Sequence, residues 1–156
     1  MEPLRHLVDK ALSAMLVAIM ALLVVDVLWQ VFTRFVLNNP SSYTEEIARY
    51  LMIWVGLLGA GYAAGKKMHV AVDLLPRKLT GRSARSLAVA IHTCTLLFAL
   101  AVLVGGGTRL VWTMLYLGQT SAGLQIPLGY VYLAVPLSGL LITFYTMCDL
   151  TRTLRP

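Results

Sequence analysis

Six charged residues stand where charge is costly. Asp26 interrupts an apolar run, Arg34, Glu45, Glu46 and Arg49 crowd around a short polar link, and Arg109 follows three consecutive glycines in another apolar run. A charge at the centre of a bilayer costs about 2.5–3.5 kcal/mol on insertion scales. Such residues can line a path for an ion, a proton or a charged substrate, or they can clamp helices or subunits together. The spacing favours the clamp. Arg34 and Glu46 flank the link at 38–42, so a salt bridge across that hairpin is sterically reasonable. Glu45 and Arg49 stand at i and i+4, which suits a pair on one helix. Asp26, Gln30 and Arg34 recur at i, i+4 and i+8, along one helix face. Counting along the segments puts Asp26 near the middle of the membrane and the other five in its outer third.

Other chemistry finds little support. The two cysteines, Cys94 and Cys148, lie in separate apolar segments with no CxxC pair, so neither a metal nor a redox signature is present. His6 and His69 fall at one membrane surface and His92 near the same end of a third apolar run. A haem held between helices wants histidines paired at matching depth. The sequence contains no GxSxG, HExxH or P-loop motif, and the expectation is a protein that is not an enzyme and needs no cofactor.

The elements that position these residues follow from composition. Of 156 residues, 58% are hydrophobic and only 13% charged, too few charges for the surface of a soluble domain. The apolar runs reach the roughly 20 residues that cross a bilayer. The reading is therefore an all-α integral membrane protein forming one membrane domain over 1–156. It has four long tilted transmembrane helices, at about 11–37, 43–65, 86–117 and 127–150. Residues 1–10 read as a short amphipathic lead-in, and the first apolar run is too long for a cleavable signal peptide. The first span, at 1.5 Å per residue, makes a helix of about 40 Å and must tilt or project. Pro40 among Asn and Ser residues ends it in a tight link. Gly61 and Gly65 form a GxxxG pair that permits close helix approach. Gly105-Gly106-Gly107 marks close packing or a local bend, and Pro136 should kink the fourth helix.

Orientation comes from the links. The N-terminal segment carries Arg5 and Lys10, the 66–85 link carries six basic residues, and the C-terminus carries Arg152 and Arg155. The links at 38–42 and 118–126 carry none. The positive-inside rule then places both termini and the 66–85 link in the cytoplasm. Residues 68–79, with apolar and polar residues interleaved, form a short cytoplasmic surface segment whose basic groups face lipid phosphates. The net charge of +6 is thus a membrane signature, and nucleic acid is not an expected partner.

The order of motifs also carries a resemblance. Arg34-Phe35 is followed by Asn38 and Pro40, then Glu45-Glu46 entering the second helix, then Gly59. His69-Val70-Ala71-Val72-Asp73 and Leu74-Leu75-Pro76 come next, and Leu124-Gln125-Ile126-Pro127-Leu128 opens the fourth helix ahead of Pro136. This series resembles the small permease (Q) subunit of TRAP transporters, the tripartite ATP-independent periplasmic family, across nearly the whole chain.

The resemblance implies a multi-pass subunit of the bacterial inner membrane in a sodium-coupled organic-acid uptake system. A periplasmic binding protein captures the substrate. A large (M) permease subunit carries the substrate and sodium sites and moves by an elevator mechanism. The small subunit packs on the static scaffold of the large one, with a second role in docking the binding protein. In that setting Arg34, Glu46 and Arg49 hold the outer hairpin, Asp26 and Arg109 meet a neighbouring helix or the large subunit, and His69 and Asp73 fix the surface segment. Two other readings compete: a self-sufficient four-helix exporter using Asp26 as its proton carrier, and a membrane enzyme of the thiol-oxidising or haem type.

Overall fold

The computed structural model describes residues 2–38, 42–66 and 82–154, with side chains over 5–38, 43–66 and 85–151. Helix α1 runs Glu2–Phe35 and α2 Ser42–Gly65. The third span is α3 (Arg82–Phe98), a π-helical segment (Ala99–Gly106) and α4 (Gly107–Tyr116) in continuous succession. The fourth is α5 (Leu128–Tyr132) followed by α6 (Ala134–Leu154). Four stretches are long and apolar enough to cross a membrane: Arg5–Phe35, Tyr43–Gly65, Arg85–Tyr116 and Leu128–Thr151. The expected surface segment at 68–79 lies outside the described residues.

Residues 2–10 are not a separate lead-in but the opening turns of α1. The one residue there that resists helix, Pro3, stands in the first turn, where its missing N–H costs nothing. At its far end α1 stops before Asn38, which takes a left-handed φ of 48°. Shielded positions of α1 step by threes and fours, Arg5, Asp9, Leu12, Leu16, Ile19, Leu23, Asp26, Gln30 and Thr33, with Val8 and Ser13 beside them. That is a single seam, packed on the second span and reaching the fourth through Arg5 and Asp9. Outside the seam, Val17, Val25 and Leu28 are each more than 60% exposed, as lipid- or partner-facing residues must be.

The spans form an open layer. The first packs on the second, the second on the fourth, and the fourth on the third. Among the described residues no helix-to-helix contact joins the first span to the third, or the second to the third. The core sits where the first, second and fourth spans converge, around Leu12, Leu58 and Tyr145, with Leu16, Ile19, Trp54 and Leu141 packed against it.

Glycine lets the neighbours close. Gly61 faces Leu141 and Gly65 faces Tyr145, so both members of the GxxxG pair meet the fourth span one turn apart. A Cβ on Gly65 would lie 2.7 Å from two carbons of the Tyr145 ring. Of the triple glycine, Gly107 is likewise a packing device. A Cβ on Gly107 would meet Val135 at 2.9 Å and Pro136 at 3.0 Å. The winding loosens to π geometry just before that contact. Pro136 has no N–H to offer the Tyr132 carbonyl, and the fourth span breaks at Leu133, with helical bonding resuming from Leu137 N–H to the Leu133 carbonyl at 3.2 Å.

Gly65→Ala should therefore destabilise the purified chain by about 1–3 kcal/mol through overpacking. Its thermal unfolding in detergent should shift down. Gly56→Ala adds a methyl where nothing lies within 4 Å and should leave the transition where it is or raise it slightly.

Candidate functional site

Polar side chains gather at the two ends of the layer. At the end away from the termini, the chain between α4 and α5 folds into a compact loop. Gly118 turns it with a φ of 59°. Thr120 and Pro127 pair across it, with Ser121 N–H donating to the Ile126 carbonyl at 2.9 Å and Leu128 N–H to the Gln119 carbonyl at 2.9 Å. This leaves the N–H groups of Gly123 and Leu124 and the Ser121 hydroxyl converging on one point. Glu46 fills it. Its carboxylate accepts from Gly123 N–H at 2.9 Å, from Leu124 N–H at 3.0 Å and from the Ser121 hydroxyl. A carboxylate taking several donors is the strong kind of hydrogen bonding.

The expected salt bridge from Arg34 to Glu46 is not what forms. Thr33 is buried in the α1 seam, and Arg34, one residue on, is rotated about 100° away from it. Arg34 is exposed, and its guanidinium stands 5.9 Å from the centroid of the Phe35 ring. Glu45 and Arg49 do approach, at 3.5 Å, on an exposed face. Together with Tyr43, Glu46, Ala122 and Gly123 they line an open cleft of about 510 Å³.

Asp26 lies in the α1 seam, partly shielded, and its Oδ2 is buried with no hydrogen-bond partner among the described residues. The register set by Arg5 beside Gly65 runs Asp26 to the height of the first turn of α2. Arg109 is exposed on α4. His69 and Asp73 lie outside the described residues.

The other end holds a cluster that residue types alone did not single out. Arg5 bonds Asp149 at 3.1 Å and donates to the Gly65 carbonyl. Tyr145 donates its hydroxyl to Asp9 at 2.5 Å, and Lys66 pairs with Asp9 at 3.1 Å. The guanidinium of Arg5 also stands 5.6 Å from the Tyr145 ring centroid. The first, second and fourth spans are thus tied by one network. Its trace in the sequence is slight: Asp9 and Asp149 are acidic residues in otherwise basic surroundings, at opposite ends of the chain.

Chemically, both clusters hold helices and loops in place. Among the described residues no group of three or more His, Cys, Asp or Glu side chains could hold a metal ion. Cys94 is exposed and Cys148 buried, and they are not joined.

Comparison with known proteins gives this layer a family. Residues 22–156 match the model of the tripartite ATP-independent periplasmic transporters, DctQ component. The chain belongs to that family. A protein of Haemophilus influenzae that bears the provisional name TRAP transporter small permease is 30% identical over 99% of this chain and 94% of its own. The sialic acid TRAP transporter small permease SiaQ of Vibrio cholerae is 27% identical over 85% of this chain and 80% of its own. The isethionate TRAP transporter permease DctMQ of Oleidesulfovibrio alaskensis is 30% identical over 72% of this chain, a stretch that makes up 18% of that longer protein. These relatives are named as permease components of transporters.

Two measurements check the clusters. Glu46→Gln turns one of the two acceptor oxygens into an NH2 donor, which then faces one of the two loop N–H groups. Amide exchange at Gly123 and Leu124 should accelerate, while Glu45→Gln should leave it unchanged. Asp149→Ala strands Arg5, whose side chain is 13% exposed, and should cost about 3–5 kcal/mol, as breaking a largely buried pair does. Lys66→Ala, at a side chain 43% exposed, should cost at most about 1 kcal/mol. Chemical denaturation in detergent reads both.

Proposed function

We propose that this chain is the small membrane subunit of a tripartite, sodium-gradient-driven organic-acid uptake transporter of the bacterial inner membrane. The family match over residues 22–156 carries the reading. The structure supports it in a second way. The spans make an open layer with broad apolar faces, which suits a part that packs on the static scaffold of a large permease subunit. The relative whose name joins the letters M and Q is a longer single chain, consistent with the two parts working side by side. The charges are used as clamps: Glu46 latches the α4–α5 loop to α2, and the Arg5 network ties the spans at the cytoplasmic end. Asp26 and Arg109 meet a neighbouring helix or the large subunit, and His69 and Asp73 fix the surface segment.

The end bearing Glu46 has no basic link and so faces the periplasm. Its cleft, lined by Tyr43, Glu45 and Arg49, is a docking surface for the periplasmic binding protein. Substrate choice rests with the other two components, since the described residues of this chain offer clamps and an open cleft.

Reconstitution tests the reading. Liposomes holding this chain with the large permease subunit, supplied with the loaded binding protein, should take up the organic acid when a sodium gradient is imposed. Omission of this chain should abolish uptake, and this chain in isolation should move no ions. Ion-coupled flux by the isolated chain would instead establish the Asp26 exporter.

A further inference from the structure

Arg109 is one of the charges that find no ion pair among the described residues. It is exposed on α4, within the apolar third span. Among the described residues its guanidinium has no ion pair and no hydrogen bond, whereas Arg5 and Arg49 have both. Its direction is set by Gly107, which packs against Val135 and Pro136 of the fourth span. Two residues on in an α-helix is a rotation of about 200°, so Arg109 points away from the fourth span toward the free edge of the layer.

The depth of Arg109 narrows what can meet it. Pro136, level with Gly107, lies about 12 Å along the fourth span from Leu128, at 1.5 Å per residue. Arg109, two residues nearer that end than Gly107, therefore lies about 9 Å from the level of Leu128, on the membrane-centre side of Trp112 and Tyr116, both exposed and of the type that marks the interface. One turn deeper, Gly105 and Gly106 are exposed and leave bare backbone where an α-carbon of a neighbour can approach. Thr108 offers nothing outward, because its hydroxyl donates back to the Val104 and Gly105 carbonyls. A cation above a glycine step, inside an apolar face, is complementary to a helix that carries an anion at the same depth.

We infer that the free edge of the third span seats a transmembrane helix of the large permease subunit, with a carboxylate of that helix paired to Arg109. This rests on the proposed function and adds to it the face that docks and the group that selects the register.

The test uses the assembled complex. This chain, tagged and co-expressed with its large permease subunit, is solubilised in mild detergent and captured. Arg109→Glu should cut recovery of the large subunit roughly tenfold or more, since like charges facing each other are strongly disfavoured. Arg109→Lys should retain most of it. Wild-type and Arg109→Glu recovering the large subunit equally would overturn the inference while leaving the proposed function intact; a wild-type chain that never recovers it would sink both. Loss of bound phospholipid in native mass spectrometry of Arg109→Glu, with the large subunit retained, would assign the arginine to a lipid phosphate and also overturn it. For a variant that fails to insert, Gly106→Cys in a Cys94→Ser background keeps Arg109 in place. A photo-crosslinker on that cysteine should form an adduct with the large subunit, and its absence from an intact complex counts against the inference.

Discussion

The layer depends on one close approach, that of Tyr145 to Gly65. The ring lies where a side chain on α2 would stand. Because Gly65 has none, Tyr145 passes across the end of α2 and reaches Asp9 on α1. The first and fourth spans, which share no close backbone contact, are thereby joined through their side chains. Arg5 follows the same route to Asp149 and binds the Gly65 carbonyl on the way. A glycine at the end of a helix ordinarily serves to stop it. Here it opens the gap through which three helices are locked.

The opposite end uses a different strategy. Glu46 binds mainly backbone N–H groups of the α4–α5 loop. Backbone donors are present whatever side chains the loop carries, so the loop surface can vary while its attachment stays the same. The inner network instead pairs side chain with side chain and demands each partner. One end of the molecule is thus free to diversify its outward residues, and the other is not.

Local features of the fold were legible in the sequence. The four apolar runs, the turn after Phe35, the break near Pro136 and the i, i+4 pair of Glu45 and Arg49 all follow from composition or short spacing. The GxxxG pair at Gly61 and Gly65 was visible as a pattern, although which helix it met was not. The partners of Glu46 and Arg5 were hidden for a physical reason. They lie 60 and more residues away in sequence, and nothing in hydropathy or periodicity ranks one distant partner over another. Arg34 was assigned to Glu46 because they are near in sequence. The seam on α1 overrules that nearness, since it turns Thr33 inward and so Arg34 outward.

The π-helical segment has a consequence for how the third span meets its surroundings. Each extra residue that such a segment accommodates delays the helix by roughly 100° relative to an unbroken α-helix. The half holding His92 and Cys94 and the half holding Arg109 and Trp112 are therefore out of phase, and a face drawn along one does not continue along the other. A single rigid rod presents one stripe to one neighbour. This one is two half-rods, each keyed to its own leaflet, with the phase between them set by winding and not by side chains.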